Sequence, residues 1–142
     1  MKKLMLFAAL VMGVSLGFAQ KVKEAEVPAA VKSSLQKEFP AAKDVKWDKE
    51  KNQFEASFDL NKTDHSVLFD ETGKIVETEV EIEMNQLPKG VTEYIAANYK
   101  GVSVKEAAKI TNAEGKVTYE AEIKGMDLLF DSTGKFIKEV KD

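Results

Sequence analysis

Two segments carry the most conspicuous grouping of polar side chains: Asp70-Glu71-Thr72-Gly73-Lys74 and Asp131-Ser132-Thr133-Gly134-Lys135. A carboxylate, a hydroxyl and an ammonium so close together could hold calcium or a phosphate. A calcium loop needs several more oxygens at fixed spacing, and Glu71 is the only extra carboxylate in either segment. The same order of residues suits a hairpin. Asp opens a type I turn, and Gly73 or Gly134 takes the left-handed position that forms a bulge. The hairpin is the reading adopted.

Glu77, Glu79, Glu81 and Glu83 form the second feature. On one strand they share a face at roughly 7 Å spacing. Such a stripe could bind a cationic peptide or a metal, although a solvated face that discourages edge pairing has the same pattern. An unbroken strand would also put Ile75 on that face. A bulge, or a strand ending near Val80, would remove the conflict.

Leu68 and Leu129 have opposite parity to Phe69 and Phe130. If the phenylalanines face helices, the leucines lie on an open sheet face, where an apolar patch marks a partner site. The residues singled out for partner binding are therefore Leu68, Glu77, Glu79, Glu81, Glu83 and Leu129.

Other candidates carry less. His65 is the only histidine, lies in what reads as a long loop over 61–65, and has no cysteine or second histidine to share a metal. No nucleophile-elbow glycine pattern surrounds any serine. A surface histidine is the simpler reading. Asn61-Lys62-Thr63 matches a glycosylation sequon and is discounted in a chain of bacterial character. Trp47 is expected under a helix, with Ile110 near the equivalent place later in the chain. No catalytic residue, metal ligand or cofactor is expected.

Composition narrows the classes. There is no cysteine, hence no disulfide and no thiolate chemistry. All 21 basic residues are lysine, so the bidentate chemistry of arginine is missing. With a net charge of −3, nucleic-acid binding is excluded as an expectation.

Residues 1–19 read as a signal peptide. Lys2 and Lys3 precede an uncharged apolar run from Leu4 to Val14, and Gly17-Phe18-Ala19 sets small residues at the cleavage positions. The uncharged stretch is at the lower limit for spanning a bilayer. Cleavage before Gln20, periplasmic or secreted location, and no stable membrane insertion after cleavage are expected.

The elements that position these residues follow from a duplication. Val27-Pro28-Ala29-Ala30-Val31 corresponds to Leu87-Pro88-Lys89-Gly90-Val91. Leu35 and Phe39 correspond to Ile95 and Tyr99, and Phe54-Glu55-Ala56 to Tyr119-Glu120-Ala121. The run from Val67 to Ile75 then corresponds to that from Leu128 to Phe136, with a longer loop near 61–65 in the first copy. Each proline suits a helix start. Val27, Val31, Leu35 and Phe39 make one apolar stripe, as do Leu87, Val91, Ile95 and Tyr99. Pro40 and Gly101 stop the helices. The segments after them alternate with period two, as half-buried antiparallel strands do.

The expected fold is α+β: two tandem helix-plus-four-strand repeats, a mostly antiparallel eight-strand sheet, and both helices on one face. The expected divisions are signal peptide 1–19, a flexible segment 20–26, and repeats over 27–84 and 85–142.

The helix starts, the aromatic at each helix end and the paired Leu-Phe-Asp-x-Thr-Gly-Lys segments resemble the PepSY-like domain of exported bacterial proteins, over roughly Val27 to Val140. The tandem is similar to the fold of beta-lactamase inhibitory protein, in which two such units form a concave sheet that grips an enzyme. The resemblance implies a periplasmic binding or inhibitory module without established chemistry. The expected function is thus a non-enzymatic binder of a protein or peptide in the cell envelope. A metal-responsive envelope protein and a small carboxylate-dependent hydrolase are the alternatives.

Overall fold

A computed structural model describes residues 19–141, so all but the last residue of the expected signal peptide lies outside the described residues. The chain forms two compact units that divide between Val76 and Glu77.

In the first unit, strand β1 (Gln20–Val22) precedes helix α1 (Ala29–Glu38) and strands β2 (Lys43–Glu50), β3 (Gln53–Leu60) and β4 (Thr63–Asp70). β1 to β4 pair antiparallel in chain order. Strand β5 (Ile75–Ile82) crosses the division. In the second unit it is followed by helix α2 (Lys89–Asn98) and strands β6 (Glu106–Asn112), β7 (Val117–Ile123), β8 (Met126–Asp131) and β9 (Phe136–Lys141). These strands also pair antiparallel in chain order. The described residues thus hold nine strands, one more than expected. The extra one is β1. The segment read as flexible, 20–26, forms this strand and a 3-10 turn over Glu24–Glu26. Val22 accounts for the order, because it packs against the first core.

Each helix forms for the same local reason. Pro28 and Pro88 sit just before the first helical residue, where no amide donor is needed, and the Pro28 carbonyl accepts from Val31 at 3.0 Å. Val27, Val31 and Leu35 bury against Trp47, Phe54, Ala56, Phe58, Val67 and Phe69. Leu87, Val91 and Ile95 do the same over Ala107, Ala121, Ile123, Leu128 and Phe130. Period-two alternation then turns the intervening residues to the other face of each unit's strands.

The repeats fill their cores differently. Ala107 stands opposite Ala121 as Trp47 stands opposite Ala56, so Ala107, not Ile110, occupies the place of Trp47. Ile110 is one strand step out of phase and faces away from α2. The lost aromatic volume is supplied from the helix. Trp47 packs on Phe69 with centroids 6.3 Å apart, and Tyr94 packs edge-on to Phe130 at 5.6 Å. Phe136 stacks on Tyr94 at 4.5 Å.

The first copy's extra residues do not make a long loop. Asn61 and Lys62, both at positive φ, form a two-residue turn between Leu60 and Thr63. Lys124 and Gly125 form the matching turn between Ile123 and Met126. The added residues instead lengthen β3 and β4. His65 therefore sits within β4. It stacks on Phe58 at 5.6 Å and 9°, meets Phe39 edge-on at 6.5 Å, and its Nδ1 lies 2.9 Å from the Thr63 carbonyl oxygen. It is a packed ring under the end of α1, not a loop histidine.

Candidate functional site

The two Asp-x-Thr-Gly-Lys segments are hairpin turns. Asp70 Oδ1 accepts from the Thr72 amide at 2.9 Å, the Thr72 hydroxyl at 2.6 Å and the Lys74 amide at 3.0 Å. Asp131 repeats the arrangement with Thr133 and Lys135. Gly73 and Gly134 have φ of 87° and 89°. The hydroxyl bond from Thr72 is the main reason that the Asp70 carboxyl stays below its usual range, and Thr133 does the same for Asp131. Oδ1 of each aspartate thus serves to hold the turn. Among the described residues, no group of three His, Cys, Asp or Glu side chains could hold a metal ion.

The face turned away from the helix is the remaining candidate. In the second unit its rows follow from the register. Glu79, Ile110, Thr118 and Asp131 lie in line, then Glu81, Ala108, Glu120, Leu129 and Lys138, then Glu106, Glu122, Asp127 and Val140. Its buried floor is mixed: Glu79, Glu120 and Asp127 are buried alongside Ala108, Ile110 and Leu129. In the first unit, Asp48, Glu55 and Leu68 make the corresponding central row.

The structure redistributes the residues expected there. Leu68 and Leu129 have the expected parity, but they are buried, at 6% and 3% exposure, rather than presented on an open face. Each sits mid-strand, with a glutamate directly across on the adjoining strand: Glu55 beside Leu68 and Glu120 beside Leu129. Glu79 is buried at 2% exposure, whereas Glu77 and Glu81 are half-buried. Glu83 leaves the stripe. β5 ends at Ile82, and Glu83 is exposed at the start of the 3-10 turn Met84–Gln86, its amide donating to Gln86 Oε1 at 2.8 Å.

The parity conflict on β5 is met without ending the strand. Ile75 packs in the first core and Ile82 in the second, at opposite parity. In the second repeat the register shifts between Leu129 and Phe130, so that Phe136 pairs with Phe130 and Lys138 with Leu129. That bulge turns Phe136 and Lys138 to opposite faces. Ile75 and Glu77 occupy the same places in the first repeat.

Glu55 shows the electrostatic character of this face. It accepts from the Ser66 hydroxyl at 2.6 Å. Burial pushes its carboxyl above the usual range, the Ser66 bond pulls it back in part, and Asp48 and Glu50 add to the rise. A group whose folded pKa is raised binds its proton more tightly in the folded state, so its contribution weakens as pH rises through the carboxylate range. Glu55→Gln should therefore raise stability at neutral pH while keeping an acceptor for Ser66. The gain should vanish below the pKa of an unfolded glutamate. Denaturation of both proteins across this pH range would show it, and an equal difference at every pH would refute it.

Glu120 stands at the place of Glu55, and Asp127 at that of Ser66. Sequence reading from single stripes passed over Glu55, Glu106, Glu120, Glu122 and Asp127. The signal was present in the duplicated Phe54-Glu55-Ala56 and Tyr119-Glu120-Ala121, whose central glutamates keep the parity of Leu68 and Leu129.

The family model described as "Putative beta-lactamase-inhibitor-like, PepSY-like" matches the chain twice, over residues 18–77 and 58–138. The chain belongs to the PepSY-like family. Solved structures share the fold of this PepSY-like protein. One is a DUF2874 family protein from Bacteroides uniformis, 25% identical with a TM-score of 0.71, covering 80% of this chain and 88% of that one. Another is a BLIP-like protein from Bacteroides fragilis, 23% identical with a TM-score of 0.65, covering 80% and 86%. A third, described as one of the "putative periplasmic proteins" of Bacteroides eggerthii, is 20% identical with a TM-score of 0.73, covering 81% and 88%. Comparison with curated proteins gave no match. Among the described residues, no helix of the PepSY-like protein is long and apolar enough to cross a membrane.

Proposed function

We propose that this PepSY-like protein is an exported, non-enzymatic binding module that engages a protein or peptide of the cell envelope through the helix-free face. The observation that carries the reading is the pair that each unit repeats on its own helix-free face, Glu55 with Leu68 in the first and Glu120 with Leu129 in the second. Glu55, half-buried in a mid-sheet position where burial raises its pKa, is a poor choice for stability alone, and Glu120 repeats it at the matching place. Their retention in both copies favours recognition. The leader expected over residues 1–19 and the periplasmic description of the similar Bacteroides eggerthii structure support action outside the cytoplasm. An inhibitory role toward an envelope enzyme is the narrower form of the proposal, supported by the family description and the BLIP-like neighbour.

The test uses half-buried rim carboxylates, which can be changed without opening the floor. Glu81→Lys with Glu122→Lys should weaken capture of an envelope partner and reduce the salt dependence of capture. Glu93→Lys, on the exposed side of α2 and paired with Lys89 at 3.2 Å, should leave capture unchanged. Equal capture by all three proteins would remove the face from the account.

A further inference from the structure

The cut expected after Ala19 leaves glutamine at the new terminus, and this glutamine is the first residue of β1. Gln20, Lys21 and Val22 pair with Lys49, Asp48 and Trp47. Val22 packs on the first core and anchors the strand, while Ala19 and Gln20 are exposed. The new end is thus a fixed, solvent-facing start of a sheet strand.

A terminal glutamine carries its own electrophile. Its α-amine reaches the side-chain carboxamide carbon and can close a five-membered ring. We propose that Gln20 of the exported protein is a modification site that cyclises to pyroglutamate; this rests on the export reading above. The α-amino nitrogen bonds to Cδ, the Cδ–Nε2 bond breaks, and Nε2 departs as ammonia with a proton taken from the amine. No oxidant or second reactant is required. Lys49 lies opposite Gln20, and Lys21 and Lys23 follow it in the chain. The neutral amine is the form that attacks.

The product keeps one N–H, now in the lactam. It loses the terminal ammonium, and with it the group an aminopeptidase recognises. That loss has a structural use. β1 is three residues long and covers the edge of β2. Trimming it would expose an unpaired ladder beside Trp47, the kind of edge that invites association with other chains.

The experiment is intact mass and N-terminal sequencing of the protein recovered from the periplasm after expression of the full chain with its leader. The expected mass is that of residues 20–142 less one ammonia, with an end blocked to sequencing until pyroglutamyl aminopeptidase is added. Gln20→Ser should give an open end and faster trimming by an aminopeptidase. A chain beginning at Gln20 with a free amine after prolonged incubation at neutral pH overturns the cyclisation and leaves export intact. A chain that keeps its leader, or begins elsewhere, overturns the export cut itself.

Discussion

Gly73→Ala should cost about 3 kcal/mol or more, the largest loss from any exchange of a turn glycine in this protein. Two independent costs combine. A Cβ at Gly73 would lie 2.5 Å from the Ala30 carbonyl oxygen, a backbone atom that cannot swing aside. The residue also has φ of +87°, where an alanine is strained. The hairpin tip presses on the first turn of α1, and the glycine permits that approach. Gly134→Ala should cost less, because its Cβ would meet Pro88 Cβ at 3.0 Å and Gly90 Cα at 3.2 Å. Gly125→Ala keeps the unfavourable φ but meets nothing within 4 Å, and should cost about 1 kcal/mol. Denaturant unfolding of the three variants should reproduce this order. Gly73→Ala no worse than Gly125→Ala would show that the tip does not bear on the helix.

Trp47→Ala should cost about 3–5 kcal/mol, although the second repeat carries alanine at the same place. Ala107 is tolerated because Tyr94 reaches down from α2 onto Phe130. The corresponding position of α1 is Ser34, which supplies no such volume. Removing the indole therefore leaves a cavity over Phe69 that no neighbour is built to fill. Copying the second repeat more fully, with Ser34→Tyr added to Trp47→Ala, should recover part of the loss. Urea unfolding monitored by circular dichroism measures both variants without relying on the deleted tryptophan. A loss below about 1 kcal/mol for the single variant would mean that the two cores are interchangeable.

Much of this fold was legible because the duplication repeats its punctuation. Proline at each helix start, an aromatic at each helix end and glycine in each Asp-x-Thr-Gly-Lys turn fix the elements from local chemistry alone. β1 was missed because three residues, Gln20 to Val22, give too short a pattern to set against a flexible reading. Only the pairing with Lys49, Asp48 and Trp47 makes them a strand. His65 was misplaced for a related reason. Asn61, Lys62, Thr63 and Asp64 look like a polar loop, yet the two-residue turn at Asn61–Lys62 lets β4 begin at Thr63. At the candidate site, parity set Leu68 and Leu129 on the correct face. Burial was the part that sequence could not supply, because parity assigns a face and not its exposure.

The helix-free face proposed to meet the partner of this PepSY-like protein can be probed directly. The absence of cysteine allows a clean test, since one introduced thiol is the only site for a photoreactive crosslinker. The probe is placed singly at Glu81→Cys, Glu122→Cys and, on α2, Glu93→Cys, and crosslinking is measured in envelope extract. One shared adduct is expected from positions 81 and 122 and none from 93. An adduct from 93 alone, or equal yields from all three, would contradict the proposal.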